Sequence, residues 1–404
     1  MIADPRAGHP ATIEHSGPVT DHEAEVLRRY GAGAERSEPE LCCPISYDPK
    51  YLELVPREII EKDYGCGDPS AHVNPGETVL DLGSGGGKIC YILAQRVGAA
   101  GRVIGVDFND AMLGLARKYQ DEMAAKVGYA NVSFHKAKIQ DLALDLDELQ
   151  EVLEDHPIRS VEQLATFEAT CDRLRREQPL IADASVDVIV SNCVLNLVRP
   201  PDKAKLFAEM FRVLRPGGRA VIADVVCDED PTPAILEDPE LWSGCIAGAF
   251  REDRFLEMFR DAGFQGLEIV QRQAEPWQLI DGIEFRSVTV RAYRGAGGPC
   301  LERHQAVIYK GPFQSVRDDD GHVFERGLRT AVCDKTFGVL TDPNGPYGEE
   351  MIPVPPREVV PLEQAGPFDC DGPSMRDPRE TKGRDYRETR RNDDSGCGEG
   401  SGCC

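Results

Sequence analysis

Residues 78–91 read Thr78-Val-Leu-Asp-Leu-Gly-Ser-Gly-Gly-Gly-Lys-Ile-Cys-Tyr91. The short run Thr78–Leu82, apolar apart from one acid at Asp81, reads as a buried parallel strand. Glycines at 83, 85, 86 and 87 follow at once, and helical spacing then runs from Lys88 to Val97. A strand, a glycine turn and a helix start bring free backbone N–H groups to the carboxyl edge of a sheet, where open α/β sheets take nucleotide-like ligands. Two phosphate-binding patterns fail here. The dinucleotide fingerprint needs a third glycine where Lys88 stands, and the phosphate loop needs a glycine and a hydroxyl where Leu82 and Ile89 stand.

Asp81, two residues before Gly83, belongs to neither pattern. The series Asp81, Gly83, Gly85, Gly87 resembles motif I of the S-adenosylmethionine-dependent methyltransferases, whose cofactor has no phosphates. Such a ligand needs close backbone approach and a carboxylate near its positive amino-acid end. Arg102-Val-Ile-Gly-Val-Asp107 reads as a second strand ending in an acid, about twenty residues past the glycines, where a ribose would present its hydroxyls. Further on, Phe211–Asp224 runs helix, turn, strand, and its Leu214-Arg-Pro-Gly-Gly218 turn resembles the one before the fifth strand of the same superfamily. The resemblance implies an α/β protein: a Rossmann-like, seven-stranded class I methyltransferase sheet with helices on both faces, using S-adenosyl-L-methionine.

The chain's 404 residues allow one good-sized domain with smaller additions. No apolar run approaches the roughly 20 residues needed to span a bilayer. The opening Met1-Ile-Ala-Asp-Pro-Arg6 lacks a charged-then-apolar signal layout. The expectation is a soluble cytoplasmic protein. With 70 acidic against 46 basic residues the formal net charge is -24, which argues against nucleic acid and anionic membranes as partners. Fourteen cysteines without a secretory signal point to reactive or metal-binding thiols, yet no C-x-x-C pair occurs.

In order, residues 1–41 form a mixed, polar N-terminal extension, expected to be poorly ordered in part, and 42–75 a thiol-bearing segment. The methyltransferase domain is expected over 76–293, alternating strand and helix at 78–82, 88–97, 102–106, 110–125 and 131–135. Leucine-spaced acidic segments at 142–184 read as two amphipathic helices inserted before the fourth strand, Ser185–Val190, either as a cover over the substrate side or as an oligomer contact. Strands are expected near 267–272 and 285–292. A small β-rich region fills 294–345, where Asp318-Asp-Asp-Gly-His322 reads as a solvated turn. Residues 346–404, poor in aliphatics and ending with Cys397, Cys403 and Cys404, read as a disordered tail.

Three cysteines have distinctive surroundings: Cys66 before the first strand, Cys193 after the fourth and Cys245 after the fifth. The last two positions share the cofactor's carboxyl edge. The words Tyr64-Gly-Cys-Gly-Asp-Pro69, Ser191-Asn-Cys-Val-Leu-Asn-Leu197 and Leu241-Trp-Ser-Gly-Cys-Ile246 resemble those of the arsenite S-adenosylmethionine methyltransferase family over roughly 42–300. That resemblance implies that Cys66, Cys193 and Cys245 bind As(III), with Cys42 and Cys43 serving redox turnover or substrate loading. It implies cofactor contacts at Asp81, Gly83, Ser84, Gly85, Asp107, Phe108, Asn109, Met112, Ile139, Gln140 and Asn192. It further implies arsenite or its glutathione conjugate as substrate and a thiol reductant, glutathione or thioredoxin. Several family members carry Glu before the third thiol, where this chain has Gly244. The chemistry is coherent on its own terms: trivalent arsenic is soft and prefers sulfur, and a thiol of pKa about 8.5 must give up its proton on binding. The alternative is a methyltransferase for another small molecule with structural cysteines.

Overall fold

The computed structural model describes residues 22–388, except 37, 39–46, 344 and 373. Cys42, Cys43, Cys397, Cys403 and Cys404 therefore lie outside the described residues. The strands of the main sheet are β1 (Thr78–Leu82), β2 (Arg102–Asp107), β3 (Val132–Lys136), β4 (Val186–Asn192), β5 (Leu214–Cys227), β6 (Phe250–Arg251), β7 (Phe264–Arg272), β8 (Gln278–Ile280) and β9 (Ile283–Arg294). Seven of them run in the order β3-β2-β1-β4-β5-β9-β7, and the short β6 and β8 add to β5 and β9. The sheet thus has nine strands rather than the seven expected, because two two- and three-residue pairings are too brief to leave a sequence pattern. β3 to β5 pair in parallel, whereas β9 enters antiparallel between β5 and β7.

Alternation along the strands fills two cores. Val79, Val103, Val188 and Val190 face one side, where α4 (Lys88–Val97) and α5 (Asp110–Lys118) cover them; Leu80, Ile104 and Ile189 face the other, under α9 (Pro200–Val213) and α12 (Glu252–Asp261). On that second side Phe207, Phe259 and Phe264 meet edge-on at 4.8–5.4 Å, the arrangement aromatic quadrupoles favour. The remaining helices are α1 (His22–Glu35), α2 (Pro49–Leu52), α3 (Arg57–Glu61), α6 (Gln120–Val127), α7 (Leu146–Asp155), α8 (Val161–Glu177), α10 (Pro233–Leu236) and α11 (Pro239–Ser243).

Two expectations need correction. The helix expected over 110–125 breaks at Tyr119, whose backbone leaves the helical region and whose hydroxyl donates to Glu58. Within the N-terminal extension, His22–Glu35 is helical and packs on α11 and α5. The chain beyond 345 is not a disordered tail throughout. Met351–Val354 pairs antiparallel with Ala306–Tyr309, which also pairs with Arg329–Ala331 around a small core of Val307, Tyr309, Phe324 and Leu340. Arg376 is buried and holds Glu302 with two bonds of 2.8 and 2.9 Å. Backbone pairing and charge-assisted bonds, not aliphatic bulk, hold this segment. The acidic turn does link a hairpin: Asp318 accepts the His322 amide between Ser315–Arg317 and Val323–Glu325.

Candidate active site at the carboxyl edge of the sheet

The strand order reverses between β1 and β4, and the loops after these two strands open onto a cleft. A reversal of this kind is where doubly wound sheets place ligands. Every residue expected to touch the cofactor lines this cleft: Asp81, Gly83, Ser84, Gly85, Asp107, Phe108, Asn109, Met112, Ile139, Gln140 and Asn192. The glycine turn is shaped from both sides. A Cβ on Gly83, whose φ is +69°, would sit 2.4 Å from a Val194 methyl, while the Gly85 position opens into empty space. The Gly85 amide donates to Asp107 at 2.8 Å, and Asp107 also accepts the Asn109 amide at 2.9 Å. Asn109 in turn caps α5 through the amides of Ala111 and Met112. Ser84 Oγ is buried and has no hydrogen-bond partner among the described residues. Close backbone approach, an acid at the end of β2 and an orphaned hydroxyl fit the methionine and ribose ends of S-adenosylmethionine.

Asp81 is buried beneath the turn, where burial pushes its carboxyl up to about 7 and the Cys90 thiol donates to it at 3.2 Å. Lys88, the residue that broke the dinucleotide pattern, pairs with buried Asp63 and lies 4.2 Å from the Tyr47 ring centroid. This pair ties the start of α4 to the segment that carries Cys66.

Cys66 precedes β1, yet it reaches the carboxyl edge because Asn192, the last residue of β4, draws it there. The Asn192 side-chain oxygen accepts the Cys66 and Gly67 amides at 2.8 and 3.0 Å, and its amide donates to the Gly67 carbonyl at 2.8 Å. Ser287 of β9 donates to the Cys66 carbonyl at 2.5 Å. Gly65 allows this approach, since a Cβ there would fall 2.3 Å from the Asn192 amide.

Cys193 and Cys245 both have φ of +63°. Left-handed backbone costs a residue with a Cβ roughly 1–2 kcal/mol, and such strain gathers at functional sites. The Cys193 amide donates to Ala223 at 2.8 Å, and the Cys245 thiol donates to the Cys193 carbonyl at 3.0 Å. Cys66, Cys193 and Cys245 are 5%, 9% and 3% exposed and share one apolar cluster with Val26, Val225 and Trp242. The Cys245 thiol acts to lower the Cys193 pKa, but the neighbouring Cys66 thiol and burial outweigh it and hold Cys193 well above the usual thiol range. Contact with Cys193, then burial, raises Cys245 likewise. Only Cys193 of the three borders the cleft; Cys66 and Cys245 lie behind it. Asp224 of β5 lies beside the thiols: one of its oxygens and the Cys66 and Cys193 sulfurs all lie within 4.8 Å of one another.

Several residues escaped the sequence reading. Glu23, Val26 and Tyr30 of α1 form a wall of the cleft. The Tyr30 hydroxyl lies 3.7 Å from the Cys245 sulfur, and its ring meets Tyr64 edge-on. Their spacing of three and four residues is a helical stripe that was there to be read. Arg29 bonds Glu240 and Ser243, so its guanidinium fills the space beside Gly244. Asp63 and Asp224 carried no local signal.

The chain is similar to known methyltransferases. A family model for a methyltransferase domain matches residues 73–263, and one for a domain of unknown function (DUF8838) matches 296–386. The chain is 33% identical over 342 residues to an arsenite methyltransferase of Aquipseudomonas alcaligenes, covering 80% of this chain and 88% of that protein. It is 27% identical over 322 residues to the arsenite methyltransferase of Homo sapiens, covering 77% and 76%. The crystal structure of CrArsM, an arsenic(III) S-adenosylmethionine methyltransferase from Chlamydomonas reinhardtii, superposes with a TM-score of 0.52 at 27% identity, covering 81% of this chain and all of that one.

Proposed function

The chain belongs to the arsenite methyltransferase family, and from that premise we propose that Cys66, Cys193 and Cys245 hold trivalent arsenic while a methyl group is transferred to it. The observation that carries the assignment is the gathering of three cysteines from separate loops into one buried apolar cluster beside the cofactor cleft, with the Cys66 and Cys193 sulfurs within 4.8 Å of each other. When bound, S-adenosylmethionine supplies the electrophilic methyl. The chain's own groups do the positioning, and no general base is needed.

Arsenous acid carries three hydroxyls, and each thiol that replaces one releases a water molecule. The thiol protons leave in that water rather than entering solution, so the raised pKa values of Cys193 and Cys245 are no obstacle. Three sulfurs leave the arsenic lone pair free on the side away from them. Transfer requires that free side to face the cofactor cleft, which Cys193 borders, so reaction is a matter of orientation. Asn192 serves both halves: it borders the cleft and fixes the Cys66 loop.

Formation of the As–C bond uses the arsenic lone pair and leaves arsenic two electrons more oxidised. Two thiols that become a disulfide, from two monothiol molecules or one dithiol, return those electrons. Glutathione or thioredoxin fits that role, with Cys42 and Cys43, outside the described residues, as internal candidates. A cytoplasmic setting, where thiols stay reduced, suits the chemistry. No helix among the described residues is long and apolar enough to cross a membrane. The test is incubation of the reduced protein with arsenite, S-adenosylmethionine and glutathione, followed by arsenic speciation. Methylated arsenic is expected; its absence under reducing conditions overturns the reading.

A further inference from the structure

We propose that Cys66, Cys193 and Asp224 form a second donor set within this site, one that takes a borderline-soft divalent cation of the zinc class. Two sulfurs and a carboxylate oxygen lie within 4.8 Å of one another, and all three residues are buried. A tetrahedral zinc-class ion holds sulfur at about 2.3 Å and carboxylate oxygen at about 2.0 Å, which sets adjacent sulfurs about 3.8 Å apart. The three donors need only draw in by about an ångström to reach that spacing, and Cys193 borders the cleft, which gives the set an approach from outside.

Cys245 is outside this set. Its sulfur is not within 4.8 Å of all three donors; its thiol donates to the Cys193 carbonyl at 3.0 Å, and the Tyr30 hydroxyl lies 3.7 Å from it. Asp224 is held firmly, accepting the Leu195 and Val225 amides at 2.8 Å each, and its oxygens keep lone pairs for an ion. The mixed set suits an ion that accepts both sulfur and oxygen, whereas pyramidal trivalent arsenic is served by sulfur alone. The cation shares Cys66 and Cys193 with arsenic, so it competes with arsenite; that competition rests on the thiol assignment above, but the cation site does not.

The probe is Cd²⁺ added alone to the reduced full-length protein, read by thiolate absorption and by cadmium X-ray absorption. The chain's other cysteines are removed from account by comparison with Cys66→Ser. The wild type is expected to bind one equivalent more than Cys66→Ser, and the difference signal is expected to show two sulfur neighbours with oxygen completing the shell. Asp224→Asn is expected to weaken that equivalent at least tenfold, while Cys245→Ser leaves it within twofold. Because Asp224→Asn also removes a backbone tie, the wild-type neighbour count, which needs no substitution, stands as the independent measure. No extra equivalent, or three sulfurs without oxygen, overturns the proposal. Should the cadmium results hold while arsenite added to the metal-free protein leaves the Cys66 and Cys193 thiols free, the arsenic assignment fails and the cation site stands.

Discussion

Two backbone amides on the Cys66 loop, at Cys66 and Gly67, end on a single side-chain oxygen, that of Asn192. Asn192→Ala leaves both buried without a partner, at about 1–3 kcal/mol for each orphaned group. Urea unfolding is expected to show that loss, and the Trp242 fluorescence change on arsenite addition is expected to need at least tenfold more arsenite. A second prediction concerns Asp81. Its carboxyl sits at about 7 when folded, against about 3.9 in an unfolded chain. The folded protein therefore retains a proton that the unfolded chain releases, so this group's contribution is complete below pH 4 and is lost as pH rises to 7. The span is on the order of 4 kcal/mol. Urea unfolding of the ligand-free protein between pH 4 and 8 is expected to show Asp81→Asn gaining on the wild type as pH rises; a constant difference contradicts it. At this scale the three thiols were legible, because the residues around them form distinctive words. Asp224 was not: within Ala-Val-Ile-Ala-Asp it is one acid at the end of a strand, and its role exists only once β4 and β5 align.

The insertion of α7 and α8 was legible as two helices from leucine spacing, but its placement was not. It has a core of its own, Leu144, Cys171 and Leu174, and anchors through Arg175 on Asp141. Its ends are already neighbours, since the Leu180 and Ile181 amides donate to Ala143 and Leu142 at 3.1 and 3.0 Å. Replacing residues 145–178 by a short glycine turn is therefore expected to preserve the sheet and leave S-adenosylmethionine affinity, by titration calorimetry, within about threefold. Helix α1 behaves oppositely. Its polar composition concealed a stripe that walls the cleft, and it is tied down by the stacking of His22 on Trp242 at 4.2 Å, by Lys138 on Glu23 and by Asn109 on the Leu27 carbonyl. A chain starting at residue 36 is expected to lose at least tenfold in cofactor affinity while keeping the far-ultraviolet spectrum of the sheet.

On the scale of the whole molecule, a catalytic sheet is followed by a small β-rich unit with its own core. Contacts such as the Gly266 amide on Asp319, at 2.6 Å, join the two at the end of the sheet away from the glycine turn. Truncation after Gly295 is expected to leave a folded protein that still binds S-adenosylmethionine. The second unit was poorly legible because short strands pinned by buried arginine pairs carry little hydrophobic period. The first was legible almost throughout, since its buried parallel strands are continuous apolar runs. The central claim is that one arsenic atom is shared by three particular sulfurs. Arsenic X-ray absorption on the reduced protein loaded with one equivalent of arsenite tests it most directly. Three sulfur neighbours and no oxygen are expected, falling to two sulfurs in Cys66→Ser, Cys193→Ser or Cys245→Ser. A wild-type arsenic atom with retained oxygen, or a count that none of these substitutions changes, would contradict the account.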